Sequence, residues 1–403
     1  MDWQRSEDTQ LLQAIDSAWQ GDRGLIPATG AWLPGDPVGG REFVTLDGFT
    51  TDAGVTLGRA TIAYESWGEL APDGSNAVLI LHALTGDSHV RGEAGPAHAT
   101  AGWWPEIVGP GLAIDTDRWF VVAPNVLGGC QGSTGPASIS PDGTEFGSRF
   151  PYLSIRDQAR AHHLFADELG IDRFAAVIGG SMGGMHALEF ALLNPDRTGA
   201  LAALAAPAAT AADQVAYCGL QIESIERDAH WHGGDYYDAP NGGGPHRGLA
   251  LARRMAMLNY RSEAEINERF ARNLQSSIEP QHGGRFQVES YLDVHGNRFT
   301  RRFDAGSYRT LSISMASHDI GRDRGGIEAA AAQLTMPTLV LGIDTDRTFP
   351  LGDQRRLAQA LPNSVTGDEP HVMSSPYGHD AFLIESAAVT QALQLLPPLQ
   401  PQG

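Results

Sequence analysis

Residues 174–195, FAAVIGGSMGGMHALEFALLNP, set one serine between two pairs of glycines, directly after an apolar run and directly before a helix. The run from Phe174 to Ile178 is short and suits a buried parallel strand. From Met182 onward, Met185, Leu188, Leu192 and Leu193 fall at helical spacings, and Pro195 marks the stop. Ser181 therefore sits in the turn itself. The pattern Gly179-x-Ser181-x-Gly183 is that of a nucleophile elbow, a sharp strand-to-helix turn that holds a serine hydroxyl proud of a sheet. Small residues are needed because the two backbones approach closely and one residue is held in a strained conformation. Taken alone, these residues also describe a glycine-rich turn whose serine caps the helix. What separates the two readings is whether the rest of the chain supplies a base and an acid.

The grammar around the elbow points to a doubly wound sheet. REFVTLDGFTTDAGVTLGRATIAYESWGEL (41–70) predicts antiparallel strands with turns at Asp47-Gly48 and Asp52-Ala53-Gly54. NAVLILHALTGDSH (76–89) and WFVVAPNVLGGCQGSTGP (119–136) each read as a buried strand running into a polar loop. A helix over 154–171, the elbow, and a small apolar strand within 199–209 continue the alternation, which argues for a mostly parallel sheet. From 210 to 334 the pattern turns largely helical, and strand–helix alternation resumes at TMPTLVLGIDTDRTFP. The expected division is an N-terminal arm over 1–40, a core made of 41–209 and 335–403, and a helical lid insertion over 210–334.

Composition narrows the function classes. Among 403 residues the formal charge is -20, and all 28 basic residues are arginine. A large acidic excess argues against non-specific nucleic-acid binding and against attraction to anionic membranes. Cys130 and Cys218 are the only cysteines, too few for a disulfide framework or a zinc site. The acidic start of the chain lacks the apolar core of a signal peptide, and no run of eighteen apolar residues occurs, so a cytoplasmic protein is expected.

The elbow serine should be followed in chain order by an acid and then a histidine. TLVLGIDTDRTFP ends an apolar strand and offers Asp344 and Asp346; SSPYGHDAF offers His379 just before the last helical stretch. A serine hydroxyl is a weak nucleophile until an imidazole takes its proton, and a carboxylate must fix the imidazole tautomer. Singly, His379 among fourteen histidines reads equally as a loop residue, and Asp346 as a turn cap. Their order and their places at strand ends favour the catalytic reading. An oxyanion hole would take the backbone N–H of Met182, next to the nucleophile, and that of Leu84 in LHALTGDSH.

Several blocks together carry a more specific signal: LHALTGDSH, NVLGGCQGSTGPASISPDG, GGSMGGMHALEF, GLALARRMAMLNYRSEAE, GIDTDRTFP and SPYGHDAFLIE. From about residue 40 to 395 the chain resembles the homoserine O-acetyltransferases, an α/β-hydrolase-fold family of methionine biosynthesis. The resemblance implies a triad of Ser181, Asp346 and His379, with Asp346 preferred to Asp344 as the acid. It implies that Arg253 holds a substrate carboxylate, with Tyr260 seven residues on, and that Asp380 holds the amino group. It implies acetyl-CoA as co-substrate with no permanently bound cofactor or metal, L-homoserine as acceptor, and a homodimer through the helical insertion. Residues that bind the donor are not assigned. Charge complementarity asks for the same guanidinium and carboxylate at an amino-acid site, but does not separate Arg253 from Arg254. Cys130 is expected to be a packed small residue near the site, and Cys218 a core residue. Succinyl-CoA as donor, serine as acceptor, and water as acceptor in an esterase-type hydrolase remain the alternatives on this scaffold.

The all-arginine acidic composition fits a medium of high ionic strength, and high genomic GC content would also favour arginine over lysine. Surface carboxylate repulsion is screened over about 10 Å at 0.1 M salt and about 3 Å at 1 M. Under the first reading the melting temperature rises steeply between those NaCl concentrations; a flat or falling curve leaves base composition as the reason.

Overall fold

Apolar stretches with no polar face, such as AVLIL and AVIGG, must be covered on both sides. In the computed structural model, which describes residues 27–401, they are the centre of an eight-stranded sheet with helices on both faces. The strands are β1 (Glu42–Thr50), β2 (Thr56–Trp67), β3 (Ala77–Leu81), β4 (Phe120–Pro124), β5 (Ala176–Gly180), β6 (Leu201–Leu204), β7 (Thr338–Ile343) and β8 (His371–Met373). Their order is β1-β2-β4-β3-β5-β6-β7-β8. β1 and β2 pair antiparallel, as do β2 and β4; every other neighbouring pair is parallel. Most of the arm expected over 1–40 lies outside the described residues.

The helices are α1 (Ile155–Glu168), α2 (Met182–Leu193), α3 (Ala212–Glu226), α4 (His246–Tyr260), α5 (Glu263–Phe270) and α6 (Gln287–Phe299), then α7 (Ala305–Ala316), α8 (Ile327–Ala331), α9 (Leu351–Ala360), α10 (Ala381–Ile384) and α11 (Ser386–Leu393). α1 starts where Ser154 accepts from the Asp157 N–H and the Asp157 side chain accepts from the Ser154 N–H, a reciprocal cap. Alternation along β3 divides the core. Leu79 and Leu81 pack with Phe165 of α1 and Phe190 of α2 on one face, and Val78 and Ile80 pack with Trp104, Phe382 and Val389 on the other. Each such side chain contributes roughly 1.5–3 kcal/mol by leaving water.

Between β6 and β7 the chain forms α3 to α8. A third cluster joins this stretch to the strand ends: Leu84, Val126, Met182 and Met185 pack with Cys218, Leu249, Ala252, Phe303 and Tyr308. The insertion thus sits over the loops that leave β3, β4 and β5.

Three local expectations change. Asp47-Gly48 is not a turn: β1 runs through it with Gly48 at φ +69, facing the paired stretch that contains Gly58. A glycine can take that conformation inside a strand, so the turn residue marks a kink. The strand expected from Phe174 starts at Ala176 and reaches Gly180, while Phe174 makes only an isolated bridge to Thr198. The short edge strand β8 was not expected, because HVM carries no readable alternation.

Burial holds several histidines neutral: His162 is pushed down to about 3, and His163 and His318 to about 4. Unfolded, each titrates near about 6.5, so between those values the unfolded chain binds more protons. Their contribution is complete above about 6.5 and is lost as pH falls, at roughly 1.4 kcal/mol per pH unit for each histidine. Urea midpoints measured from pH 7 to pH 4.5 at fixed ionic strength should fall, and H318N should make the fall shallower by about one proton.

Candidate active site

Ser181 leaves β5 at φ 56 and ψ −124, a conformation of a kind that costs a non-glycine residue about 1–3 kcal/mol. The surrounding glycines explain how it is held. A Cβ on Gly179 would lie 2.0 Å from the Gly183 carbonyl oxygen, and one on Gly183 would lie 2.0 Å from the Leu81 carbonyl oxygen. A Cβ on Gly180 would meet the Phe382 ring at 2.4 Å, and one on Gly184 would meet Ala206 Cβ at 2.5 Å. The Ser181 N–H donates to Leu204 O at 2.8 Å, tying the strained residue to β6. Strand, helix and neighbouring strand therefore meet backbone to backbone around one hydroxyl.

His379, in the turn before α10, donates from Nδ1 to Asp346 Oδ2 at 2.7 Å, which leaves Nε2 to accept the Ser181 hydroxyl proton at 2.8 Å. All three side chains are buried. Burial opposes a charge on His379, but the Asp346 carboxylate and its hydrogen bond outweigh it, with Asp380 adding, so the imidazole pKa is raised above its ordinary value. Asp346 is itself fixed, Oδ1 accepting from the N–H groups of Thr348 at 2.7 Å and Phe349 at 3.0 Å. Asp344 faces elsewhere: it accepts from Ser374 Oγ at 2.7 Å and the Ser375 N–H at 3.2 Å, tying down the turn after β8.

Among the described residues, neither the Met182 N–H nor the Leu84 N–H has a hydrogen-bond acceptor. Leu84 is oriented by a residue that sequence reading did not single out. His82 donates from Nδ1 to the Ala83 carbonyl at 2.8 Å, and that carbonyl belongs to the peptide whose N–H is Leu84's. Its Nε2 accepts from the Val126 N–H at 3.0 Å, which selects the tautomer, and burial lowers its pKa so that it stays neutral. The peptide is pinned from its oxygen side, leaving its N–H free on the other.

Arg253 donates to Thr85 Oγ1 at 3.1 Å, and its guanidinium lies 5.8 Å from the centre of the Tyr260 ring. That ring is in turn 5.7 Å from the His379 ring, and burial pushes the Tyr260 phenol up to about 12. Asp380 is not free: its Oδ2 lies 3.6 Å from Arg261 Nε. Burial raises the Asp380 carboxyl pKa, and Arg261 and then Arg253 work against that rise. Arg302 donates to Thr85 O at 2.9 Å, on the same residue that Arg253 holds. Arg261, Arg302 and Thr85 were given no role by the sequence, since only the fold brings 85, 253 and 302 together. Cys130 and Cys218 are buried thiols, Cys130 raised far above the ordinary range and Cys218 to about 12, both chiefly by burial, so neither is a thiolate.

One buried cluster lies apart. Glu65 accepts from His89 Nδ1 at 2.9 Å and lies 3.4 Å from His98 Nε2. The three are the one group of potential metal donors among the described residues. The two rings stack 3.7 Å apart and 9° from parallel, so their in-plane lone pairs run side by side and do not converge on a shared ion.

Comparison with known proteins places this geometry. A family model described as alpha/beta hydrolase fold matches residues 76–386. A homoserine O-acetyltransferase of Clavibacter michiganensis subsp. michiganensis (strain NCPPB 382) is 60% identical over 374 residues, 93% of this chain and 96% of that protein. Another, of Thermobifida fusca (strain YX), is 52% identical over 372 residues, 92% of this chain and 97% of that one. Among solved structures, a homoserine O-acetyltransferase from Bacillus anthracis aligns with a TM-score of 0.80 at 25% identity, over 90% of this chain and 98% of that chain. Esterase E22 aligns with a TM-score of 0.79 at 25% identity, over 88% and 98%, so the same frame also carries hydrolases. Identity of one half or more across nine-tenths of both sequences decides between those neighbours: this chain belongs to the homoserine O-acetyltransferase family, built on the α/β-hydrolase fold.

Proposed function

We propose that the protein moves an acetyl group from acetyl-CoA to the hydroxyl of L-homoserine in two steps, through an acetyl ester on Ser181. The observation that carries the reading is the unbroken line from Ser181 Oγ through His379 to Asp346 at a strained elbow. In the first step His379 Nε2 takes the Ser181 proton as Oγ attacks the thioester carbon. The oxyanion forms against the N–H groups of Leu84 and Met182, which no acceptor among the described residues competes for. Collapse expels the CoA thiolate, which takes the proton from His379. In the second step the homoserine hydroxyl gives its proton to His379 Nε2 and attacks the acetyl carbon; collapse returns Ser181 Oγ, which recovers the proton. Asp346 stays ionised throughout and stabilises the imidazolium.

The acceptor reading rests on Arg253 for its carboxylate, Asp380 for its ammonium and Tyr260 for the wall between them and His379. Residues 210–334 act as a lid that shields the acyl-enzyme from water, and also as the contact of a homodimer. The arm over 1–40 and the core of 41–209 and 335–403 complete the division. No helix among the described residues is long and apolar enough to cross a membrane, which agrees with a cytoplasmic enzyme. The esterase neighbours favour one second reading, a hydrolase that passes the acetyl group to water. Arg253 and Asp380 have no work in that reaction.

Incubation with acetyl-CoA alone should leave one acetyl group on the peptide containing Ser181, read by mass spectrometry, and none in S181A. Acetyl on Cys130, or transfer at full rate without an acyl-enzyme, would contradict the mechanism.

The pH profile tests the acid. Only neutral His379 can accept a proton, so kcat/KM climbs as pH rises through the raised pKa of His379. D346N removes the charge that raises it, so the acid limb should move to lower pH while the plateau falls by up to ~10⁴-fold. D344N, which loses only a turn contact, should keep most of the activity. A crippled D344N beside a near-normal D346N would reverse the assignment.

A further inference from the structure

Arginines away from the surface are compensated throughout most of the described structure. Arg254 pairs with Asp293, Arg324 with Glu189, and Arg197 with Asp167. Arg41, buried and without a carboxylate in contact, spends its N–H groups on the carbonyls of Val38, Ala97 and Gln131 and on the Gln131 side chain. Arg253 and Arg302 are different. Neither has a carboxylate oxygen within 4.0 Å among the described residues, and each makes a single side-chain hydrogen bond, both to Thr85. Both heads lie over the Phe299 ring, at 5.0 Å and 5.6 Å from its centre. Two like charges therefore share one aromatic ring and one threonine, and their remaining N–H groups have no acceptor among the described residues. Burial lowers the Arg302 pKa; the Asp87 carboxylate, beyond contact distance, works against that, and Arg253 adds to it. An anion between the two heads would relieve their mutual repulsion.

We propose that Arg302 is the second arm of the acceptor's carboxylate site, so that the α-carboxylate of the amino acid sits between the guanidiniums of Arg253 and Arg302. This rests on the reading of the acceptor as an amino acid. The planar fork of a guanidinium matches a carboxylate, and two forks on one carboxylate fix its position as well as its charge. Position matters because Thr85 follows Leu84, the oxyanion donor. An anion held at Thr85 is one residue from the reacting centre, a short aliphatic chain from where the acceptor hydroxyl must lie. The same loop residue thus registers the acceptor against the oxyanion hole. The phosphates of the donor are the other source of an anion, and the test separates them.

The test crosses a change in the protein with a change in the acceptor. 3-Aminopropan-1-ol is homoserine without its carboxylate. R302Q should lower kcat/KM for homoserine by at least ~10-fold, the size expected for a lost charge-assisted hydrogen bond, and that for 3-aminopropan-1-ol by less than ~3-fold. Equal losses with both acceptors would mean that Arg302 only props the Thr85 loop, and would overturn the proposal. A loss in Ser181 acetylation by acetyl-CoA that is absent with S-acetylpantetheine, which lacks the phosphates, would assign the anion to the donor and overturn it too. If R302Q does not fold, R302K keeps the buried charge but not the fork and should show the same selectivity, weaker in size. A wild-type enzyme that hydrolyses acetyl-CoA and transfers to neither acceptor fails earlier, at the acceptor reading itself, and takes the proposal with it.

Discussion

The contact on which the site depends is between backbones: the start of α2 lies against the end of β3, so closely that a Cβ on Gly183 would sit 2.0 Å from the Leu81 carbonyl oxygen. That one approach sets two things at once. It positions the elbow, and with it Ser181 Oγ and the Met182 N–H. It also fixes where β3 releases the His82–Thr85 loop, and with it the Leu84 N–H. The two proposed oxyanion donors come from chain segments about a hundred residues apart, yet their separation is governed by main-chain packing that no side-chain rotamer can loosen. Preorganised donors of this kind are worth most when they are rigid and dry. Both conditions follow from the glycines and from the apolar cluster of Leu84, Met182 and Met185 beneath the insertion.

Electrostatics add a second layer. With a formal charge of -20, the molecule as a whole repels an anionic donor and offers an amino acid no net attraction. At physiological salt that field is screened over about 8 Å, so the charges that matter are local. Around His379 these are Asp346 and Asp380, and across from them Arg253, Arg261 and Arg302. Three arginines thus gather at the proposed acceptor site, in a protein whose formal charge is -20. Burial sharpens each of these interactions by lowering the local dielectric.

How much of this was legible in sequence depended on how local its cause was. The elbow was readable because strand, turn and helix lie within twenty residues and glycine has few other reasons to occur four times in six positions. The order Ser181, Asp346, His379 was readable because the first two follow apolar runs and the third stands just before the last helical stretch. β8 and the kink at Gly48 were not, since a three-residue edge strand has no periodicity and a glycine inside a strand looks like a turn. Arg253 and its neighbour Arg254 were indistinguishable as residues, and only the family resemblance chose between them. The structure supplies a physical difference: Arg254 is paired with Asp293, and Arg253 has no carboxylate partner among the described residues. Arg302 was invisible for a similar reason, as its meaning lies in sharing Thr85 with a residue forty-nine positions away.

The esterases that share this frame show that the frame alone does not decide where the acyl group goes. Water is present at tens of molar and an amino acid at about millimolar, so an acyl-enzyme that favours the amino acid must prefer it by roughly 10⁴–10⁵-fold, within reach of the effective molarities of about 10⁵–10⁸ M attained by a well-oriented acceptor. Orientation of that quality requires fixing the acceptor at both ends of its charge, so that its hydroxyl has one place to be. In the proposed reaction, charge recognition by Arg253 and Asp380 is therefore a kinetic device as much as a binding one: it converts affinity for the ends of the molecule into a short, directed path for the hydroxyl in the middle. In a hydrolase the same pocket would have nothing to orient, and an arginine held there without a carboxylate partner would bring no gain.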